Sequence, residues 1–157
     1  MQHGEAKPEQ EDPARPLTER GRGDVERVAR VAARLGLGIA VVQHSGKLRA
    51  EQTAGIVAES LRPSPLLRVM AGLAPNDDPA AAAESIRTAT EPWLLVGHLP
   101  HLSRLASLLL GVGPQRTVVG FQMGGLVALT GEGPEWRLRW ILTPELAEAS
   151  GLMTAQG

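Results

Sequence analysis

Apolar residues at Val25, Val28, Ala29, Ala32 and Leu35 recur at the spacing of one helical face, with Thr18 ahead as a cap and Gly36 behind as a stop. That pattern predicts a helix. From Gly38 to Gln43 it gives way to the continuous run Ile39-Ala40-Val41-Val42, typical of a strand buried on both faces. A second helix is expected after the His44–Leu48 loop, reaching about Leu61 and stopped by Pro63. Leu66 to Met70 reads as the next strand. Pro79 suits the first turn of an alanine-rich helix ending near Thr88. Trp93 to Gly97 is a further buried strand, and Leu99 to Leu110 a helix with Pro100 near its start and Gly111 after its end. Val118–Phe121, Leu126–Thr130 and Trp136–Leu142 read as strands, the last two joined by the Gly131–Pro134 turn. No internal repeat interrupts this order.

Strands that alternate with helices imply right-handed crossovers and an α/β fold: a mostly parallel sheet with helices on both faces. Ligands bind such sheets at the carboxyl ends of their strands. The 157 residues suit a single domain, with a charged, proline-interrupted loop over residues 5–17 and a peripheral tail over 144–157. A net charge of −1 supplies no field for nucleic acid or an anionic membrane, and 3% aromatic residues argue against a base-stacking surface. No apolar run approaches the ~20 residues of a membrane span, and the polar amino terminus shows no signal segment, so a cytoplasmic protein is expected. Without cysteine there are no disulfides, thiolate metal sites or thiol nucleophile.

Candidate chemistry lies in three patches: Gln2-His3-Gly4-Glu5-Ala6, His44 through Thr53, and Val96-Gly97-His98-Leu99-Pro100. His44 and His98 each follow a predicted strand, and His3 would follow a third, so the patches converge at one end of the sheet. Together they supply imidazoles and a guanidinium, groups able to attack a phosphoryl group and hold its charge.

The patches resemble the histidine phosphatase superfamily, most closely its small SixA-type phosphohistidine phosphatases. The likeness spans nearly the whole chain. It takes in His3-Gly4-Glu5-Ala6, Arg15-Pro16-Leu17-Thr18, Ser45 through Thr53, Leu73-Ala74-Pro75 and Gly97-His98-Leu99-Pro100. The resemblance implies a phosphoglycerate mutase-like three-layer sandwich. It implies His3 as the nucleophile that transiently carries phosphate, Arg49 as a clamp on phosphate oxygens and His98 as a hydrogen-bond donor to them. Gln2, Gly4, Arg15 and Ser45 would complete phosphate binding. Glu5 and Asp77 are the candidates for the acid that protonates the leaving group. No metal or organic cofactor is implied. The expected substrate is phosphohistidine on a partner protein, for example a phosphotransfer domain. The alternatives are a small phosphomonoester, or phosphate recognition with little catalysis.

Two departures stand out. The superfamily usually carries arginine just before the nucleophilic histidine, where this chain has Gln2. An amide still donates to phosphate but brings no charge, and Arg15 is placed to compensate. In the family the nucleophile also ends a central first strand, yet Met1 and Gln2 alone precede His3. The expectation is a true start upstream; the other possibility is a sheet without its central member and a mobile nucleophile. His44 and His101 match no catalytic position and read as structural. Lys47 reads as a rim charge or a solvated one, and Glu9-Gln10-Glu11-Asp12 as a solvated run. None of the four histidines shows the spacing of a helical metal site.

Overall fold

The computed structural model describes residues 1–154, with side chains through residue 151. Three short strands, β1 (Val41–His44), β2 (Leu66–Val69) and β3 (Trp93–Val96), form a parallel sheet in the order β2-β1-β3. Their register puts His44 opposite Val69 on one side and Val96 on the other, so the strands end level. A separate antiparallel hairpin, β4 (Leu126–Glu132) and β5 (Glu135–Leu142), carries an irregularity between Ala128 and Leu129.

Helices cover both faces. On one side α1 (Glu19–Arg34), α2 (Leu48–Ser60) and α5 (Pro144–Thr154) pack on Val42, Leu94 and Val96. On the other, α3 (Pro79–Thr88) and α4 (His101–Leu109) pack on Leu73 and Leu95. The apolar stripe that predicts α1 is the stripe it buries: Val25, Val28, Ala29 and Ala32 are all sealed from solvent. Each of the two valines contributes roughly 1.5–3 kcal/mol by burial. Thr18 caps α1 by accepting from the Gly21 N–H at 2.9 Å, and Gly36, at φ +60°, takes the left-handed turn that ends it.

The helices and most strands fall where the apolar pattern puts them, and two expectations fail. Val118–Phe121 forms no strand: Val118 is exposed, no neighbour pairs with it, and only Val119 is buried. Residues 144–154 are no peripheral tail either, because they form α5 and place Ala147 in the core. Residues 155–157 lie outside the described chain.

The amino terminus lies where a central strand belongs. The His3 N–H donates to the Gly97 carbonyl and the Gly97 N–H to that of Met1, both at 3.1 Å. On the other side, the Gly124 N–H reaches the Gln2 carbonyl at 3.1 Å and the Gln2 N–H reaches that of Gly125 at 3.3 Å. Three residues therefore bridge β3 to the turn before β4. The mobile His3 of the second possibility is not found, since backbone bonds on both sides hold it.

Candidate active site

His3 stands at the carboxyl end of the sheet, beside the start of α2 and the end of β3. Its Nδ1 lies 2.7 Å from the carbonyl of Gly4. A carbonyl only accepts, so Nδ1 carries the proton and Nε2 keeps its lone pair. The Nε–H of Arg49 donates to that Nε2 at 3.3 Å. The rings of His3 and His98 are 4.9 Å apart, tilted by 53°. His98 in turn has its Nε2 at 2.6 Å from the hydroxyl of Ser45. His3, Arg49, His98 and Ser45, which come from three distant segments, thus meet in one cluster.

Each position has a local cause. Gly46, at φ +81°, makes the turn after β1 that leads into α2 and sets Ser45 beside β3. Arg49 sits in the first turn of α2 and is itself buried. His98 follows β3 by two residues, just ahead of α4.

Burial sets the protonation states. The pKa of His3 is lowered chiefly by desolvation, and the charges of Arg49 and Arg15 lower it further, against the raising effect of the Gly4 carbonyl. His98 is pushed down to about 3, first by burial and then by His3, Arg49, Lys47 and His101. Both rings are neutral at physiological pH. Arg49 is lowered by burial and by Arg15, yet a guanidinium stays charged there. Among the described residues no carboxylate lies within 4.0 Å of Arg15, Lys47 or Arg49; the ion pairs are Lys7–Glu11, Arg20–Asp24 and Arg27–Asp24. A half-buried site with unpaired cations and neutral imidazoles attracts an anion.

The other sequence candidates divide. Arg15 adopts a left-handed backbone, φ 51°, and its Nε–H donates to the Lys7 carbonyl at 3.2 Å while its charge acts on both His3 and Arg49. Gln2 is buried with its side-chain Oε1 lacking any partner. Gly4 does not offer its N–H to a ligand: Thr53 Oγ1 accepts it at 3.0 Å. A Cβ there would fall 2.8 Å from both the Gly21 carbonyl and Val25, so glycine is needed for close packing on α1. Neither acid candidate is joined to His3 by a hydrogen bond. Glu5 accepts from the Thr18 hydroxyl at 2.8 Å, and Asp77 from the Ala74 N–H at 2.8 Å.

His44 accepts the Gly46 N–H through Nδ1 at 3.2 Å, a loop-bracing role. His101 is fully buried with neither ring nitrogen in a well-formed hydrogen bond, and burial lowers its pKa against the raising effects of Asp77, Asp78 and the Gly72 backbone. Two residues had no role assigned from sequence. Thr53 donates to the Arg49 carbonyl at 2.7 Å while accepting from Gly4, and so ties the His3 loop to the helix that carries Arg49. Gln52 Oε1 accepts the Leu17 N–H at 2.8 Å and anchors the end of the charged loop. The signal was their place in the Arg49–Thr53 run, one helical turn beyond the arginine. No three His, Asp or Glu side chains among the described residues gather into a metal-binding group.

No protein-family model matches the chain, and no curated protein aligns with it. Solved structures do. The protein histidine phosphatase SixA complexed with tungstate superposes with a TM-score of 0.81 at 26% identity, covering 92% of this chain and 94% of that one. A SixA-assigned protein from Agrobacterium tumefaciens gives 0.74 at 23% identity, with coverages of 92% and 95%. A phosphoserine phosphatase from Entamoeba histolytica bound to 3-phosphoglyceric acid gives 0.67 at 14% identity, with coverages of 90% and 94%. The last two likenesses concern the fold alone. Its sheet order, the ordered motifs around His3, Arg49 and His98, and the superposition on SixA over 92% of its length make the chain similar in structure to the histidine phosphatase superfamily.

Proposed function

We propose that this protein is a metal-independent phosphatase that works through a phosphohistidine on His3 and acts on phosphohistidine of a partner protein, such as a phosphotransfer domain, in the cytoplasm. The observation that carries the reading is the contact between the Arg49 Nε–H and the unprotonated Nε2 of His3, in a site whose cations lack carboxylate partners among the described residues. A phosphoryl group held by Arg49 would lie against that lone pair. Nε2 attacks phosphorus, and the bond from phosphorus to the substrate imidazole breaks. Water then attacks the phosphorylated His3, releases inorganic phosphate and restores the neutral ring. Catalysis of this kind is chiefly positioning and electrostatic stabilisation, since the transferring group stays anionic throughout.

The substrate class is argued from the acid. Glu5 and Asp77 are both engaged with the scaffold rather than with His3. An alkyl phosphate releases a poor alkoxide leaving group and needs a proton donor. A phosphohistidine protonated on its other ring nitrogen releases neutral imidazole instead, and so needs no strong protein acid.

Gln2 favours a second reading, phosphate recognition with little turnover, because the position before the nucleophile brings no charge. One experiment separates the two. Incubation with a radiolabelled phosphohistidine protein should place acid-labile, base-stable phosphate on the chain, and His3→Gln should abolish it. Binding of the phosphoprotein without label transfer or release of phosphate would leave the recognition reading standing and refute the enzyme.

A further inference from the structure

Exposed apolar side chains flank the site. Val69, the last residue of β2, is 67% exposed. Leu99, next to His98, is 40% exposed, and Met123, which bridges to Gln2, is 47% exposed. They stand on a row of five segments. β2 pairs with β1 and β1 with β3, while Gln2 pairs with Gly97 just past β3 on one side and with Met123 on the other. Val69, His44 and Val96 share one level, and Gly97, Gln2 and Met123 share the next. At about 4.8 Å per step the row spans ~19 Å. A Cβ on Gly46 would lie 3.4 Å from the Val69 side chain, so β2 ends against the turn that carries Ser45.

Charge lies along the same row. Lys47, in the turn after β1, is exposed, and its charge acts on His98. Among the described residues no carboxylate lies within 4.0 Å of it. Val69 stands three steps, about 14 Å, from the segment that carries His3, too far for a small phosphomonoester to touch both. A ligand that covers this rim is therefore a macromolecule, and the spacing selects its shape. One α-helical turn rises about 5.4 Å, close to one strand step, and over three steps the mismatch is only about 2 Å. An extended chain repeats a face every ~6.7 Å and falls out of step at the first neighbour.

Resting on the phosphohistidine reading, we propose that Val69, Leu99 and Met123 form a docking surface for a single amphipathic α-helix of the partner protein, laid across the strand ends with its phosphohistidine over His3. The row dictates what that helix carries. One turn from the phosphohistidine, toward Met123, its residue is apolar. One turn the other way, over Leu99, it is apolar again. Two turns along, beside Lys47, it is acidic, and three turns along, over Val69, it is apolar once more. The apolar contacts hold the partner while Arg49 takes the phosphoryl group, so recognition of the protein is separate from the grip on phosphate.

A stapled helical peptide of about 18 residues tests this, with phosphotriazolylalanine, a stable phosphohistidine analogue, facing the site. It carries leucine one turn to one side of the analogue, leucine one and three turns to the other, and glutamate between those two. A second peptide of the same composition puts the leucines on the opposite face. By fluorescence anisotropy the first should bind about ten-fold or more tighter, and Val69→Ser and Met123→Ser should each weaken it about five- to ten-fold. Both variants should keep the parental affinity for phosphotriazolylalanine alone. Equal affinity for the two peptides, or variants that bind the first as the parent does, overturns the proposal. The peptide comparison is made on the parent chain, so it decides even if a variant fails to fold. Peptide preference without hydrolysis of the matching phosphohistidine peptide supports docking and sinks the phosphatase reading. Hydrolysis of an aryl phosphate with no peptide preference sinks docking and leaves the phosphatase.

Discussion

Thr53 offers the sharpest test of how the site is held together. Its hydroxyl is fully buried, accepts the Gly4 N–H at 3.0 Å and donates to the Arg49 carbonyl at 2.7 Å. Thr53→Val keeps the shape of the side chain and removes both bonds. The Arg49 carbonyl keeps its α-helical acceptor role one turn on, so its loss is small. The Gly4 N–H has no such alternative, and a buried donor left without a partner costs about 1–3 kcal/mol. In a chain of this size that is a fall in Tm of about 3–10 °C. Function should suffer beyond stability, because Gly4 follows the nucleophile and Arg49 contacts it. Loosening of both ends lengthens the His3–Arg49 contact, and turnover should fall about ten-fold or more at temperatures where the variant is fully folded. Thr53→Ser, which retains the hydroxyl, should recover most of both losses. Differential scanning calorimetry and single-turnover phosphate release measure the two effects separately. A Tm within 1 °C of the parent, or a Thr53→Ser variant no better than Thr53→Val, would refute the bridging role.

Other substitutions probe the remaining links. Gln2→Arg restores a cation beside the nucleophile. A hydrogen bond to a charged group contributes roughly 1.5–3 kcal/mol, so turnover of an aryl phosphate should rise about one to two decades. Unchanged turnover and phosphate affinity would show that Arg15 already fills the role. Gly21→Ala would push a methyl group into the backbone of Glu5, whose nitrogen it would approach to 2.7 Å, and should cost about 1–3 kcal/mol as well as activity. A parental melting profile would refute the close approach of α1 to the nucleophile's loop. Acid should weaken the fold. His3, His98 and His101 all have pKa values lowered on folding, so the unfolded chain binds more protons, and stability present above pH 6.5 is lost as pH falls toward 3. His98 alone should account for about 1 kcal/mol between pH 7 and 5 after allowance for solvent screening, and His98→Asn should flatten the denaturation-midpoint profile over that range.

Much of this architecture is written in the chain because it is local. Thr18, Gly36 and Pro79 act within a turn of themselves, and each bounds its helix as its chemistry requires. The convergence of His3, Arg49 and His98 was readable only through motif order, since nothing local tells residue 3 that residue 98 lies beside it. What escaped was tertiary. Val118–Phe121 has strand-forming composition but no neighbour to pair with, so it remains irregular. Gly4 looked like a phosphate cradle because glycine suits both a close ligand and a close helix, and only the approach of Gly21 decides between them. Glu5 and Asp77 carry the right functional group for an acid, yet Thr18 and the Ala74 N–H claim their oxygens.

The electrostatics of the site assign its labour. Burial lowers the pKa of both imidazoles and favours their neutral forms, so the charge able to hold an anion rests on arginine. Arg49 is the member of that set bonded to the nucleophile, and Arg15 acts through its field alone. In the proposed mechanism a neutral His3 attacks without first shedding a proton, and a neutral His98 offers one N–H without competing for the phosphate's charge. Phosphate monoesters lose their second proton near pH 6, a range in which His98, held down to about 3, stays neutral. In the proposed mechanism, Gln2 in the place of an arginine lowers the total positive charge without altering this division, so it would weaken the grip on the anion while leaving His3 able to attack.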